Sequence, residues 1–216
     1  AIARRGKDPR PVGRMLDERS FVNAIVGLHA TGGSTNHTLH LPAMAAAAGI
    51  TLTWQDFADL SEVTPLLARV YPNGQADVNH FHAAGGMGYV IAKLLGAGLL
   101  DGNAATVSGD SLADYAREPL LSGNGLVWRD APSASLDTDI LRPVGDPHAP
   151  NGGLRILDGN LGKAVIKISA VAKERHLIEA PAAVFEDEAA VKAAYAADKL
   201  DRDVVVVVRG QDPQAT

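Results

Sequence analysis

The side chains best suited to chemistry gather in residues 30–41, ATGGSTNHTLHL. Gly32 and Gly33 free the backbone, and Ser34, Thr35 and Asn36 then bring short polar side chains where a helix begins, with His37 next. A Ser or Thr at such a start leaves backbone N–H groups outward, and the positive end of the helix dipole adds to them. A phosphate or carboxylate fits that arrangement. The same residues equally suit a well-capped connection between two helices that binds nothing.

Residues 73–86, NGQADVNHFHAAGG, form a second polar stretch. Asp77, Asn79 and His80 near a helix start could wall a polar ligand site. Asp77 as a cap and the Gly85–Gly86 pair as a stop explain the same letters without a ligand. Residues 151–169 are the third stretch, in which Asn151, Gly152 and Gly153 could form an anion nest and Lys163 or Lys167 could face a phosphate. Two strands, a turn and solvated lysines account for them as well. The acidic run Glu186, Asp187, Glu188 caps the helix that follows.

Five of the seven histidines, His29, His37, His40, His80 and His82, fall in these first two stretches or beside them. His37 and His40 share a helix face, but no carboxylate or third histidine stands at a zinc-site spacing, and His80 and His82 point to different sides of a helix. No metal ligand is therefore assigned. His37 could donate to a bound anion beside the glycine loop, or these histidines could simply lie on helix surfaces or in a hydrogen-bonded core. No G-x-S-x-G elbow, Walker loop or G-x-G-x-x-G fingerprint occurs, and no catalytic residue is assigned.

Apolar spacing predicts the elements that hold these groups. Residues 15–29 read as a buried helix, and residues 34–48 as a second one packing Leu39, Met44 and the alanine run, closed by Gly49. Residues 50–53 are expected as a short strand leading to Thr53, the cap of a helix over 54–60. Residues 66–70 follow as a strand closed by Tyr71-Pro72-Asn73-Gly74, then helices over 77–84 and 89–95. Ser111 caps a short helix and residues 126–128 suggest a strand. A boundary is expected near 148–153, where HAPNGG interrupts the chain. Beyond it come strands at 154–157 and 164–168 around a turn at 158–160, and a strand at 182–185. A helix over 187–197 has Val191 and Tyr195 inward, and an apolar strand at 203–209 should be covered on both faces. Alternating short strands and small-residue helices give a layered α/β domain followed by a β-rich one.

With 46% apolar residues, 21% charged and a net charge of −5, the chain can bury a core and lacks the basic footprint of a nucleic-acid binder. No apolar run approaches the roughly 20 residues that span a bilayer. The N-terminal residues 1–13 are a basic lead-in without the apolar core of a signal peptide. The lack of a starting methionine and the abrupt end at Thr216 lead us to expect a fragment. Without any cysteine, this chain can supply no thiolate to a metal cluster and no thiol nucleophile.

Five blocks in order, ATGGSTNHTLHL, PNGQADVNHFHAAGG, GGLRILDGNLGKAVIKISAV, EAPAAVFEDE and DVVVVVRG, resemble the dihydroxy-acid dehydratase / 6-phosphogluconate dehydratase family over nearly the whole chain. His37 after GGSTN, the block over 71–81 and the uninterrupted GNLGKAVIKISAV resemble its phosphogluconate branch. The resemblance implies a hydro-lyase that converts 6-phospho-D-gluconate to 2-dehydro-3-deoxy-6-phospho-D-gluconate in the Entner–Doudoroff route. It implies an iron–sulfur cluster, expected to be 4Fe–4S, a divalent cation in some branches, a homodimer and a cytoplasmic setting. Residues 1–148 would be the C-terminal part of the family's N-terminal α/β domain, and 149–216 the start of its β-rich swivelling β/β/α domain. The substrate-binding residues implied are Gly32, Gly33, Ser34, Thr35, Asn36 and His37, with Asn79 and His80 contributing less. The family's cluster cysteines lie upstream of its TGGSTN block, its glycine-methionine-proline-glutamate and serine-bearing segments lie downstream, and residues 211–216 depart from its pattern. The piece alone is thus expected to be inactive. A sister dehydratase for dihydroxy or sugar acids, or a non-catalytic anion-binding module, are the other readings.

Overall fold

Asp17 starts the first long helix by satisfying its own end: its carboxylate accepts from Ser20 N–H at 3.0 Å while the Ser20 hydroxyl faces back to Asp17 N–H. In this computed structural model, which describes residues 10–109 and 111–211, helix α1 spans Glu18–Thr31. It stops where Gly32 turns left-handed at φ 59° and Gly33 N–H returns to Leu28 C=O at 3.0 Å. The expected lead-in over 1–9 and the departures over 212–216 lie outside the described residues.

Two apolar clusters use α1 from different sides. Val26 and Ala30 pack with Leu67, Tyr89, Val90 and Leu141, whereas Ile25 and Leu28 pack with Leu41, Phe57 and Leu154. α1 is therefore the post around which the first unit is built. Helix α2 (His37–Ala47) turns Thr38, Leu41 and Ala45 inward. Leu39 and Met44, expected to pack, are each 49% exposed because the 3.6-residue period carries them off that face. Gly49, left-handed at φ 77°, ends the helix as expected, with Ile50 N–H on Ala45 C=O at 2.8 Å.

That bond also explains why residues 50–53 form no strand: the segment closes α2 and finds no ladder partner. Thr53 caps α3 (Trp54–Val63) in a box with Asp56, as expected. Residues 66–70 are extended but make only isolated bridges, to Ala149, Leu141 and Ala76. Helices α4 (Val78–Ala84) and α5 (Gly86–Gly96) follow, and Ser111 accepts from Ala113 N–H to start a 3-10 turn at Leu112–Ala116. Strand β1 (Arg117–Ser122) pairs antiparallel with β2 (Gly125–Asp130), of which the sequence pattern showed only the second. Strands β3 (Leu154–Gly159) and β4 (Gly162–Lys167) form a tighter hairpin than expected, since Gly159 pairs with Gly162 and only Asn160 and Leu161 are left in the turn.

The chain divides into two compact units between Val171 and Ala172, so residues 149–171 belong to the first unit. The second holds β5 (Ala182–Phe185), α6 (Glu188–Ala196) and β6 (Val205–Val208), with β5 and β6 parallel. Asp187 caps α6 through Ala190 N–H at 2.7 Å and Glu186 pairs with Arg209. Tyr195, expected inward, is 76% exposed, and Val205 and Val206 are also exposed. Among the described residues β6 has β5 as its only ladder neighbour, so neither strand is covered as a central strand would be. The protein is thus a mixed α/β chain of helices and two-stranded sheets.

Candidate functional site

Asn73 joins the sequence blocks in space. Its Nδ2 donates to Gly32 C=O at 3.0 Å, and its Oδ1 accepts from the Ser169 hydroxyl at 3.0 Å. Ser169 in turn donates its N–H to Gly153 C=O at 3.2 Å. The glycines are required by contact: a Cβ on Gly32 would fall 2.0 Å from Asn73 Nδ2, and one on Gly153 would fall 2.5 Å from Ser169 Oγ. The turn after Val70, the end of α1 and the β3–β4 hairpin are in this way fastened at one buried amide.

Next to that junction a cleft of about 570 Å³ opens. Gly32, Gly33, Ser34 and Thr35 form its polar side, and Lys167 lies in it as well. Tyr71, Pro72, Phe81 and Met87 supply the apolar side. Ser34 Oγ accepts from Asn36 N–H at 3.2 Å, and His37 Nδ1 donates to Ser34 C=O at 3.0 Å. Asn36 makes no side-chain cap bond to α2. The backbone N–H groups of Ser34 and Thr35 have no hydrogen-bond partner among the described residues. The residues lining the cleft thus include two with unused N–H donors and one lysine, the groups an oxyanion needs.

The other sequence candidates lie elsewhere. His37 lines a neighbouring cavity of about 440 Å³ that shares Gly33 and Thr31 with the cleft. Asn79 and His80 are exposed, and their N–H groups donate to Asp77 Oδ1 at 2.9 and 3.0 Å, with the His80 ring 2.8 Å from the same oxygen. These bonds, the His80 N–H foremost, hold the Asp77 carboxyl below the usual carboxylate range. Asn79 and His80 therefore serve a helix cap. Lys163 is taken up by Asp158 at 3.6 Å, whereas Lys167 is half-buried and burial pushes its pKa down.

His29 is a core residue. It is fully buried, its Nε2 donates to Phe57 C=O at 2.9 Å, and Nδ1 has no partner. Burial lowers its pKa to about 4, so the ring is neutral at physiological pH. Gly152 sits against it, where an added Cβ would come within 2.8 Å of the ring.

Sequence reasoning noticed the Tyr-Pro-Asn-Gly turn but missed Asn73 as the junction. The signal was present: a short amide in a tight turn, followed by glycine, can reach a backbone carbonyl far along the chain. The apolar side of the cleft was also missed. Exposed Tyr71 and Met87 have no periodicity that would mark them.

Residues 2–115 match the dihydroxy-acid/6-phosphogluconate dehydratase N-terminal family, and residues 139–216 match the corresponding C-terminal family. The chain is 60% identical over its whole length to a phosphogluconate dehydratase of Rhizobium meliloti, covering 36% of that protein. It is 53% identical over 97% of its length to one of Escherichia coli K12, covering 35% of it. With a dihydroxy-acid dehydratase of Roseiflexus castenholzii, identity over 99% of the chain is 35%, again covering 35% of that protein. The chain spans about a third of the length of these relatives.

Proposed function

We propose that this chain, which belongs to the dihydroxy-acid/6-phosphogluconate dehydratase family, works as a segment of a longer hydro-lyase that removes water from 6-phospho-D-gluconate. The product would be 2-dehydro-3-deoxy-6-phospho-D-gluconate, the Entner–Doudoroff intermediate. The observation that carries the substrate is the identity gap: 48–60% to phosphogluconate dehydratases against 35% to a dihydroxy-acid dehydratase over nearly equal lengths. The cleft supports the same reading, because two free amides and an ammonium suit the carboxylate or phosphate end of a phosphorylated sugar acid.

In this reading Gly32–Thr35 in the cleft bind and orient substrate, Asn36 fixes Ser34, and His37 fixes the loop through the Ser34 carbonyl. Asn79 and His80 support the site only through α4. An iron–sulfur cluster and a divalent cation belong to the proposal for the longer enzyme, as do a homodimer and a cytoplasmic setting. The chain's own residues do not fit either group. It has no cysteine, and no cluster of three His, Asp or Glu side chains that could hold a metal occurs among the described residues. Residues 1–148 and 149–216 are proposed as parts of the family's two domains; the separate N- and C-terminal family matches support two domains.

Substrate profiling of the full-length parent tests the function. Turnover of 6-phospho-D-gluconate should exceed that of branched dihydroxy acids by at least about a hundredfold in kcat/KM, since a site built for a charged group rejects ligands lacking it. Equal turnover would overturn the assignment, and no turnover of any sugar acid would leave an anion-binding module.

A further inference from the structure

Strand register brings Lys167 to the cleft. Lys167 stands opposite Leu154 in the β3–β4 ladder, and directly opposed residues of an antiparallel pair share a face. Leu154 is buried, so that face is the covered one, while the neighbouring Arg155 and Ile166 take the other, where Arg155 pairs with Glu62. Lys163 shares the covered face but sits four residues away beside the turn, with Asp158 as its partner. The Lys167 side chain has no ion pair or hydrogen bond among the described residues. An ammonium partly withdrawn from water without a counter-charge loses hydration and gains nothing in return until an anion arrives. Burial already pulls its pKa down, which fits a group lacking its partner. Ser34 and Thr35, whose N–H groups have no partner among the described residues, line the same cleft.

We propose that Lys167 and the Ser34 and Thr35 amides form one oxyanion site that grips an anionic end of the substrate. The site rests on reading the cleft as a substrate site. It separates Lys167 from Lys163, which the sequence could not do. Carboxylate and phosphate share the required chemistry, and a sugar acid phosphate carries both.

The test uses the full-length parent with Lys167→Met, Lys167→Arg and, as a control on the same hairpin, Lys163→Met. Lys167→Gln replaces the methionine variant if that one fails to fold. Lys167→Met should raise KM for 6-phospho-D-gluconate by at least about tenfold with kcat held within about threefold, as for a lost uniform binding contact. Lys167→Arg should recover most of the loss, and Lys163→Met should match the parent. Calorimetric binding of inorganic phosphate and of D-gluconate, without turnover, assigns the end. Weakened phosphate binding in Lys167→Met places the phosphate there, and weakened gluconate binding places the carboxylate. Unchanged KM together with unchanged binding of both probes overturns the proposal. Should the parent not turn over 6-phospho-D-gluconate, the proposed substrate fails, yet the two binding measurements still decide the oxyanion site.

Discussion

The starts of α2 and α4 carry nearly the same inventory: a small residue or turn, a short polar side chain, an asparagine and a histidine in the first turn. At α4, Asp77 spends its carboxylate on the amides of Asn79 and His80 and on the His80 ring. That helix start is closed by its own residues. At α2, the Ser34 hydroxyl takes only the Asn36 N–H and the Asn36 side chain caps nothing, so the Ser34 and Thr35 amides stay unused beside a cleft. Its shape is fixed from far away in sequence, by Asn73, Ser169, Gly153 and the packing of His29 on Gly152. A carboxylate at the cap satisfies a helix end locally. A neutral start held by remote partners leaves its donors to a ligand.

That contrast breaks first at Asn73. Asn73→Ala strands the buried Gly32 carbonyl and the half-buried Ser169 hydroxyl, at a cost of about 4 kcal/mol at most. In a parent about three times this chain's length, a drop of about 3 °C in the thermal midpoint should accompany the loss of substrate binding. An unaltered midpoint would mean that the junction does not hold the loop.

Acid should come next, through His29. Its folded pKa of about 4 lies below the ordinary 6.5, so between those values the unfolded chain takes up a proton that the folded chain refuses. The contribution is complete above about pH 6.5 and disappears as pH falls toward 4, by about 3 kcal/mol in all. Thermal midpoints recorded from pH 7 to 4 should slope downward in the parent and less steeply in His29→Gln. Parallel slopes would remove His29 as the cause.

How much of this was legible follows from where each constraint is stored. Caps are local, so Thr53, Ser111 and Asp187 could be read from adjacent letters, as could Gly49 as a helix end. The stretch around Ser34 was legible as anion-ready, but its membership in a cleft was not, because Asn73 and Lys167 reach it across the fold. Orientation also escaped: Leu39, Met44 and Tyr195 carry core-type side chains, yet only tertiary packing decides which helix face is inward. The pair Asn79 and His80 looked like Asn36 and His37 because letters do not record which acceptor consumes an amide. Residues 50–53 had strand chemistry and no partner to pair with.

The central claim is that the α2 start, and not the α4 start, meets the substrate. Steady-state kinetics of the full-length parent carrying Ser34→Ala with Asn36→Ala, beside a second protein carrying Asp77→Ala, test it directly. The first removes the Ser34 hydroxyl that holds the Asn36 N–H, and with it the placement of the Ser34 and Thr35 amides, so KM for 6-phospho-D-gluconate should rise by about tenfold, the worth of about one hydrogen bond. The second should leave KM unchanged while lowering stability by about 1 kcal/mol, the usual value of a lost cap. Unchanged kinetics in the first variant, or a comparable rise in KM in the second, would contradict the account.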